Sequence, residues 1–211
     1  MQIVPLDERY VEAAFALLTR VFIDDSPPHR VLNVKLPEYR DYLASFFFRS
    51  AKRGYGLVAL DCAKNVHGCV IGIDYCDSLN TPDSFVADTS ARVKMRPLLA
   101  LLAELDLRYR KHRLSQPGDT ILVDMAAVSK QARGAGVYVS LRLALHECAK
   151  QQGYRYIVGE LSSAATRYVC IEKFHHRVVA EINYDSFEYD GDRPFRSLID
   201  PPSLVMVEGF L

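Results

Sequence analysis

The sequence predicts an α/β fold, a single domain over residues 1–211, and two observations carry that prediction. Short apolar runs bounded by turn residues alternate with segments whose apolar residues recur at helical spacing. In the second half, one strand–turn–helix unit stands out. Thr120-Ile-Leu-Val-Asp-Met-Ala-Ala-Val128 reads as a buried strand. Val137, Leu141, Ala144, Leu145 and Cys148 give the segment after it an apolar helical face, and Gly153 stands where a left-handed cap would end it. The turn between them carries Arg133, Gly134, Ala135 and Gly136. Such a turn aims backbone N–H groups at one point and adds the positive end of a helix dipole, an arrangement that binds phosphate.

The other elements follow in order. Residues 1–6 suit a first strand, and Asp7 suits the N-cap of a helix whose apolar face is Val11, Ala14, Phe15, Leu18 and Phe22. Pro27 and Pro28 stop that helix. Pro37 opens a second one, running to about Lys52 with Tyr42, Phe46 and Phe47 inward. Residues 56–61 and 67–73 read as strands joined by a turn, and residues 77–88 as a loop. Pro97 begins a leucine-rich helix that ends in the basic run Arg108–Arg113, read as a solvated helix end. After the glycine turn and its helix come a strand at 156–161, a short helix at about 165–174, and strands at 178–184 and 203–208.

Composition removes several functions. Lys+Arg and Asp+Glu balance at 26 each, which argues against nucleic-acid binding through a general basic field. No apolar run approaches a membrane span and the first residues hold no apolar signal core, so a membrane partner is not expected. Five cysteines at scattered spacings read as free thiols of a reducing cytoplasm. The adjacent His175 and His176 point opposite ways in an extended chain, and no His or Cys at ligand spacing joins them, so no metal is expected.

The glycine turn lacks the Gly-Lys-Ser/Thr ending of a Walker loop and the third glycine of a dinucleotide loop. It resembles motif A of the GNAT acetyltransferase superfamily, in which a strand runs into R/Q-x-x-G-x-G/A. Two registers fit. Gln131-x-x-Gly134-x-Gly136 satisfies the letters, while Arg133-x-x-Gly136-x-Tyr138 keeps the spacing from Val128 but puts Tyr138 at a small-residue position. The spacing is a geometric constraint and favours the second. The segment 166–179 resembles motif B, with His175 in place of its glycine. The tail Ile182-Asn-Tyr-Asp-Ser-Phe187, Gly191-Asp-Arg-Pro-Phe195 and Pro201-Pro-Ser-Leu-Val-Met-Val207 is similar to that of insect-type arylalkylamine N-acetyltransferases. So is the early stretch Phe22-Ile-Asp-Asp-Ser-Pro-Pro28.

The resemblance implies a GNAT fold, a mixed and mostly antiparallel sheet with helices on both faces. It implies transfer of acetyl from acetyl-CoA to a small-molecule primary amine by direct attack in a ternary complex. Residues 133–138, Val137 included, would hold the pyrophosphate, and the backbone of Ala126, Ala127 and Val128 the pantetheine arm. A tyrosine that protonates the leaving thiolate would fall at Ile171, which cannot do so. Tyr168, three residues earlier on nearly the same helical face, is the candidate substitute.

A general base is also required. Asp124 interrupts an apolar strand and is read as sharing a face with Ala126 and Val128; Asp25, near the early motif's glutamate, and Glu160, at the end of the next strand, are the other candidates. The lost tyrosine, glycine and glutamate also fit a non-catalytic acyl-CoA-binding domain. A polyamine, an amino acid or a protein amine is an alternative acceptor. The oligomeric state, homodimer or otherwise, stays open.

Overall fold

A computed structural model describes residues 1–79 and 90–211. The strands are β1 (Gln2–Pro5), β2 (Tyr55–Leu60), β3 (Val66–Asp74), β4 (Thr120–Val128), β5 (Tyr156–Leu161), β6 (Arg177–Asn183) and β7 (Ser203–Phe210). The helices are α1 (Val11–Asp25), α2 (Pro27–Val31), α3 (Leu36–Arg53), α4 (Tyr75–Leu79), α5 (Ser90–His112), α6 (Val137–Gln151) and α7 (Ala164–Arg167). A π-helical turn, Tyr168–Lys173, continues α7.

The strands form one seven-stranded sheet in the order β1-β2-β3-β4-β5-β7-β6. Its one parallel pair is β4–β5; the other pairs are antiparallel. One face packs Leu60, Cys69, Ile71, Leu122, Val158 and Met206 against α1, α3 and α5. The other packs Ala59, Val70, Ile121 and Ile157 against Leu141 and Leu145 of α6. The mixed, mostly antiparallel sheet with helices on both faces is therefore as the sequence implied.

Several boundaries moved, for local reasons. Helix α1 is entered at Tyr10, not Asp7; the Asp7 carboxylate is engaged by Arg9. Pro27 does not merely stop α1. It starts α2, because a proline at a first helical position gives up an N–H that has no partner there. Pro97 lies inside α5, which is helical from Ser90 onward. The loop expected over residues 77–88 is helical to Leu79, and its remainder lies outside the described residues.

Two details position the site. Parallel pairing of β4 with β5 runs from Thr120↔Tyr156 to Val123↔Gly159 and stops, although both strands continue. Strand β4 also carries a bulge. Ile71 pairs with Met125 and Gly72 with Val123, so Asp124 is the extra residue. An extra residue reverses the alternation of faces. Ala126 and Val128 consequently pack with α6, whereas Met125 and Ala127 pack with the α1/α3/α5 core.

Helix α6 sits close on the sheet because Gly68 of β3, opposite Val128, has no side chain. A Cβ there would meet Leu141 Cδ1 at 2.8 Å and Val137 Cγ1 at 2.9 Å. Gly68→Val should therefore lift the first turn of α6 and cost about 1–3 kcal/mol, as overpacking does. Urea unfolding would show a lower midpoint with an unchanged m-value. An unaltered midpoint would mean that α6 is not seated as described.

Candidate active site

The turn before α6 is built by its two glycines. Gly134 and Gly136 have φ of +76° and +73°, a left-handed conformation that costs glycine nothing. Gly136 is the N-cap of α6, and the first intrahelical bond is Ser140 N–H to the Gly136 carbonyl. The N–H groups of Val137, Tyr138 and Val139 precede it and face the loop's concavity. A Cβ at Gly134 or Gly136 would meet nothing within 4 Å, so the space before the helix is open.

A cavity of ≈ 820 Å³ runs from this turn through the opening between β4 and β5. Ala126, Ala127, Val128, Arg133, Gly134, Gly136, Val137 and Tyr138 line it; Ala135, at the exposed crest of the turn, does not. At its far end α1, α2 and α3 supply an aromatic wall of Phe22, His29, Tyr39, Tyr42 and Phe46. Their rings meet edge-on or tilted, with centroids 5.0 Å apart for His29–Tyr39 and 5.5 Å for Phe22–His29. His29 Nδ1 lies 2.8 Å from the Ser26 hydroxyl, and burial holds the ring neutral, its pKa pushed down to about 4.

The structure separates the three candidate carboxylates. Asp25 is bound to the glycine turn, 2.5 Å from Arg133 Nη2 and 3.9 Å from Lys130. With the Asp24–Lys130 pair at 3.3 Å, it clasps the end of α1 to the turn. Asp124 and Glu160 are the first residues beyond the last β4–β5 pair, and both line the cavity. The bulge turns Asp124 toward α3, where Ser50 and Arg49 lie; it does not share the face of Ala126 and Val128 as its sequence position suggested.

Burial pushes the Asp124 carboxyl up to about 6, with the Ser50 hydroxyl partly offsetting it, and its Oδ2 has no partner among the described residues. Glu160 is pushed up to about 8, by burial first and then by the charge of Asp124. Its side chain is exposed to the cavity, so water there partly solvates the charge and opposes the rise.

Tyr168 does not reach this site. It is 58% exposed, and Lys173 lies over its ring at 5.7 Å. The inference from Ile171 assumed an α-helix, in which residues three apart share a face. The π-helical turn spreads each turn over more residues, so Ile171 packs inward while Tyr168 points to solvent.

Sequence reasoning missed two contributors. The aromatic wall joins three helices and has no local pattern. Arg142 had a signal: it is a charge on the same stripe of α6 as Tyr138 and Leu145, and it is wholly buried.

No protein-family model matches the chain, and no curated protein matches it. Solved structures do. The C-terminal condensation domain of Ebony, in complex with beta-alanyl-dopamine, superposes with a TM-score of 0.83 at 15% identity, over 100% of this chain and 98% of that one. Arylalkylamine N-acetyltransferase 2 from Aedes aegypti gives 0.76 at 16%, over 99% and 98%. The Drosophila melanogaster polyamine N-acetyltransferase gives 0.64 at 16%, over 100% of both. The fold is that of the GNAT acetyltransferases.

The raised carboxyls make stability depend on pH. Folded Glu160 holds a proton up to about pH 8, whereas the unfolded side chain, with its ordinary value of 4.5, releases it earlier. Above 4.5 the unfolded state binds fewer protons, so rising pH costs folding stability until about pH 8. Asp124 adds to the loss between 3.8 and about 6. Glu160→Gln should lose less stability than the parent across that range, as read from urea midpoints in a pH series. Parallel curves for the two proteins would show that Glu160 titrates normally.

Proposed function

We propose that the protein is a GNAT-type N-acetyltransferase that moves acetyl from acetyl-CoA to the primary amine of a small arylalkylamine. The observation that carries this is the continuous cavity, which joins an anion-binding helix N-terminus, an open strand edge, a carboxyl pair and an aromatic wall. The pyrophosphate lies against the N–H groups of Val137–Val139, with Arg133 and Lys130 nearby. The pantetheine arm, an extended diamide, pairs with the edge of β4 at Ala126–Val128, which has no β5 partner. The thioester then lies where the strands part, beside Asp124 and Glu160. The wall of Phe22, Tyr39, Tyr42 and Phe46 fits an aryl ring better than a polyamine chain.

The reaction is a direct displacement. The amine enters as an ammonium and gives a proton to the Asp124–Glu160 pair, directly or through water. Two coupled acids whose pKa values lie at about 6 and about 8 share one proton near neutrality, so the pair is both anionic enough to attract the ammonium and basic enough to accept its proton. The free amine nitrogen attacks the acetyl carbon, the carbon–sulfur bond breaks with its electron pair going to sulfur, the nitrogen gives a second proton to water, and the amide and coenzyme thiolate leave. Holding both substrates in one cavity makes the attack effectively intramolecular.

The outward Tyr168 favours a second reading, a domain that binds acyl-CoA without turnover. Thiol release over a panel of arylalkylamines and polyamines separates the two. Turnover on arylalkylamines is expected; coenzyme affinity with no turnover on any amine supports the second reading.

Two variant sets test the parts. Gly136→Glu should abolish acetyl-CoA binding in calorimetric titration, because a carboxylate would occupy the phosphate position. Gly136→Ala imposes the same left-handed strain without the charge and should keep most of the affinity. Equal affinities for Glu and Ala variants would remove the phosphate from this turn. Asp124→Asn and Glu160→Gln should each lower turnover by about 10²-fold or more. The acidic limb of the pH–rate profile, between about 6 and about 8, should change with them. Parent-like turnover and an unmoved limb in both variants would rule the pair out as the base.

A further inference from the structure

Arg142 is the largest side chain that the protein buries completely, at 0% exposure. Its Nη1 donates to the Tyr138 hydroxyl at 2.9 Å and lies 3.2 Å from Cys170 Sγ. Its Nε and Nη2 are buried with no partner among the described residues. Among the described residues no carboxylate pairs with it. The titratable groups around it are Tyr138 and His146 of its own helix, Cys170 of the π-helical turn, and His176 before β6. Burial and then Arg142 itself hold both histidines uncharged, with pKa values pushed down to about 3 and about 4. An unpaired guanidinium inside a protein is costly and does not escape by losing its proton. A buried cation without a counter-charge in the wall of a cavity points to an anion that arrives with the ligand.

The guanidinium's position narrows that acceptor. A Cβ built on Gly159 would lie 3.8 Å from Val123 Cβ and 4.0 Å from Arg142 Nη1. Gly159 and Val123 are the last register pair before β4 and β5 part. Arg142 therefore stands over the vertex of the opening from the α6 side, while Asp124 and Glu160 lie just beyond the vertex on the other side. All five residues line the one cavity.

We propose that Arg142 steadies the leaving thiolate: as the amine nitrogen bonds the acyl carbon and the carbon–sulfur bond breaks, sulfur departs with the electron pair and is stabilised by the charge of the guanidinium in the cavity wall. The guanidinium keeps its protons. Of the two protons that the ammonium sheds, one goes to the carboxyl pair and the other to water, and the thiolate takes a proton from water after release. This rests on the acetyl-CoA reading above. It fills the task that Ile171 cannot perform and that Tyr168, facing solvent, does not reach. It also differs in kind from acid catalysis, because a guanidinium stabilises the sulfur by its charge at any pH in the working range.

The test is an ultraviolet titration of the thiol of CoA bound to the parent, to Arg142→Met and to Arg142→Lys. In the parent the bound thiol should titrate about one to three pH units below free CoA, the effect of a close opposite charge. The Met variant should return it to the free value, and Lys should keep part of the shift. The Met variant should melt no lower than the parent, because exchanging a buried unpaired charge for an apolar side chain removes a cost. Its turnover with acetyl-CoA should fall by about 10²-fold. The loss should shrink with an acetyl aryl thioester, whose more acidic thiol needs less help to leave.

A parent-bound thiol that titrates like free CoA overturns the proposal, as do equal losses with both donors. A preference for succinyl-CoA over acetyl-CoA that the Met variant abolishes also overturns it, since the guanidinium would then read an acyl carboxylate. If folded parent fails to bind CoA at all, the donor reading itself is wrong and the proposal falls with it.

Discussion

The parallel pair β4–β5 holds for four residues and then opens, and the site exists because it cannot close again. Each strand is committed on its outer side. Strand β4 is paired with β3 as far as Val128, and β5 with β7 as far as Leu161. The outer partners draw the strands apart while their N-terminal halves stay joined. Backbone groups on the inner edges are left without a strand to pair with, inside the protein, where such groups are rarely left bare. An extended amide-bearing ligand is the natural complement to such an edge. The helix N-terminus at Gly136 stands at one end of the opening and the aromatic wall at the other, so a single break in pairing sets the positions of both.

The opening is also electrically divided. Toward α1, α3 and α5 it presents two carboxyls, both pushed upward by burial. Toward α6 it has a buried guanidinium in its wall. These groups lie on opposite faces of one sheet and do not neutralise each other. A ligand in the gap experiences a field directed across it. Amide formation from a thioester moves a proton one way and a pair of electrons the other, and the two faces match those directions.

Much of this arrangement was legible in the chain. The glycine turn, the amphipathic period of α6, the Gly153 terminus and most strands follow from local rules. What was not legible has specific causes. The bulge at Asp124 left no trace because β4 is largely apolar on both faces, so a slip in alternation changes no pattern. Tyr168 was misjudged because the hydrogen-bond period of a short helix cannot be read from its residues. Pro97 marked a helix start by rule, yet packing of Met95, Leu98, Leu101 and Leu105 carries α5 through it. The aromatic wall, spread over residues 22–46, becomes a wall only when three helices meet.

The bulge gives β4 something like a reading frame. Before Asp124, odd-numbered residues face α6; after it, even-numbered ones do. Substitutions along the strand alter one side chain each, and loss of Asp124 itself would only remove the bulge, but one residue gained or lost between Met125 and Ala127, with the bulge kept, would exchange the faces of the residues that follow it. Val128, now opposite Gly68 and against α6, would then be turned toward the α1/α3/α5 core. The length of this one segment is therefore more tightly constrained than its composition, and natural variation in β4 should be found in its letters and not in their number.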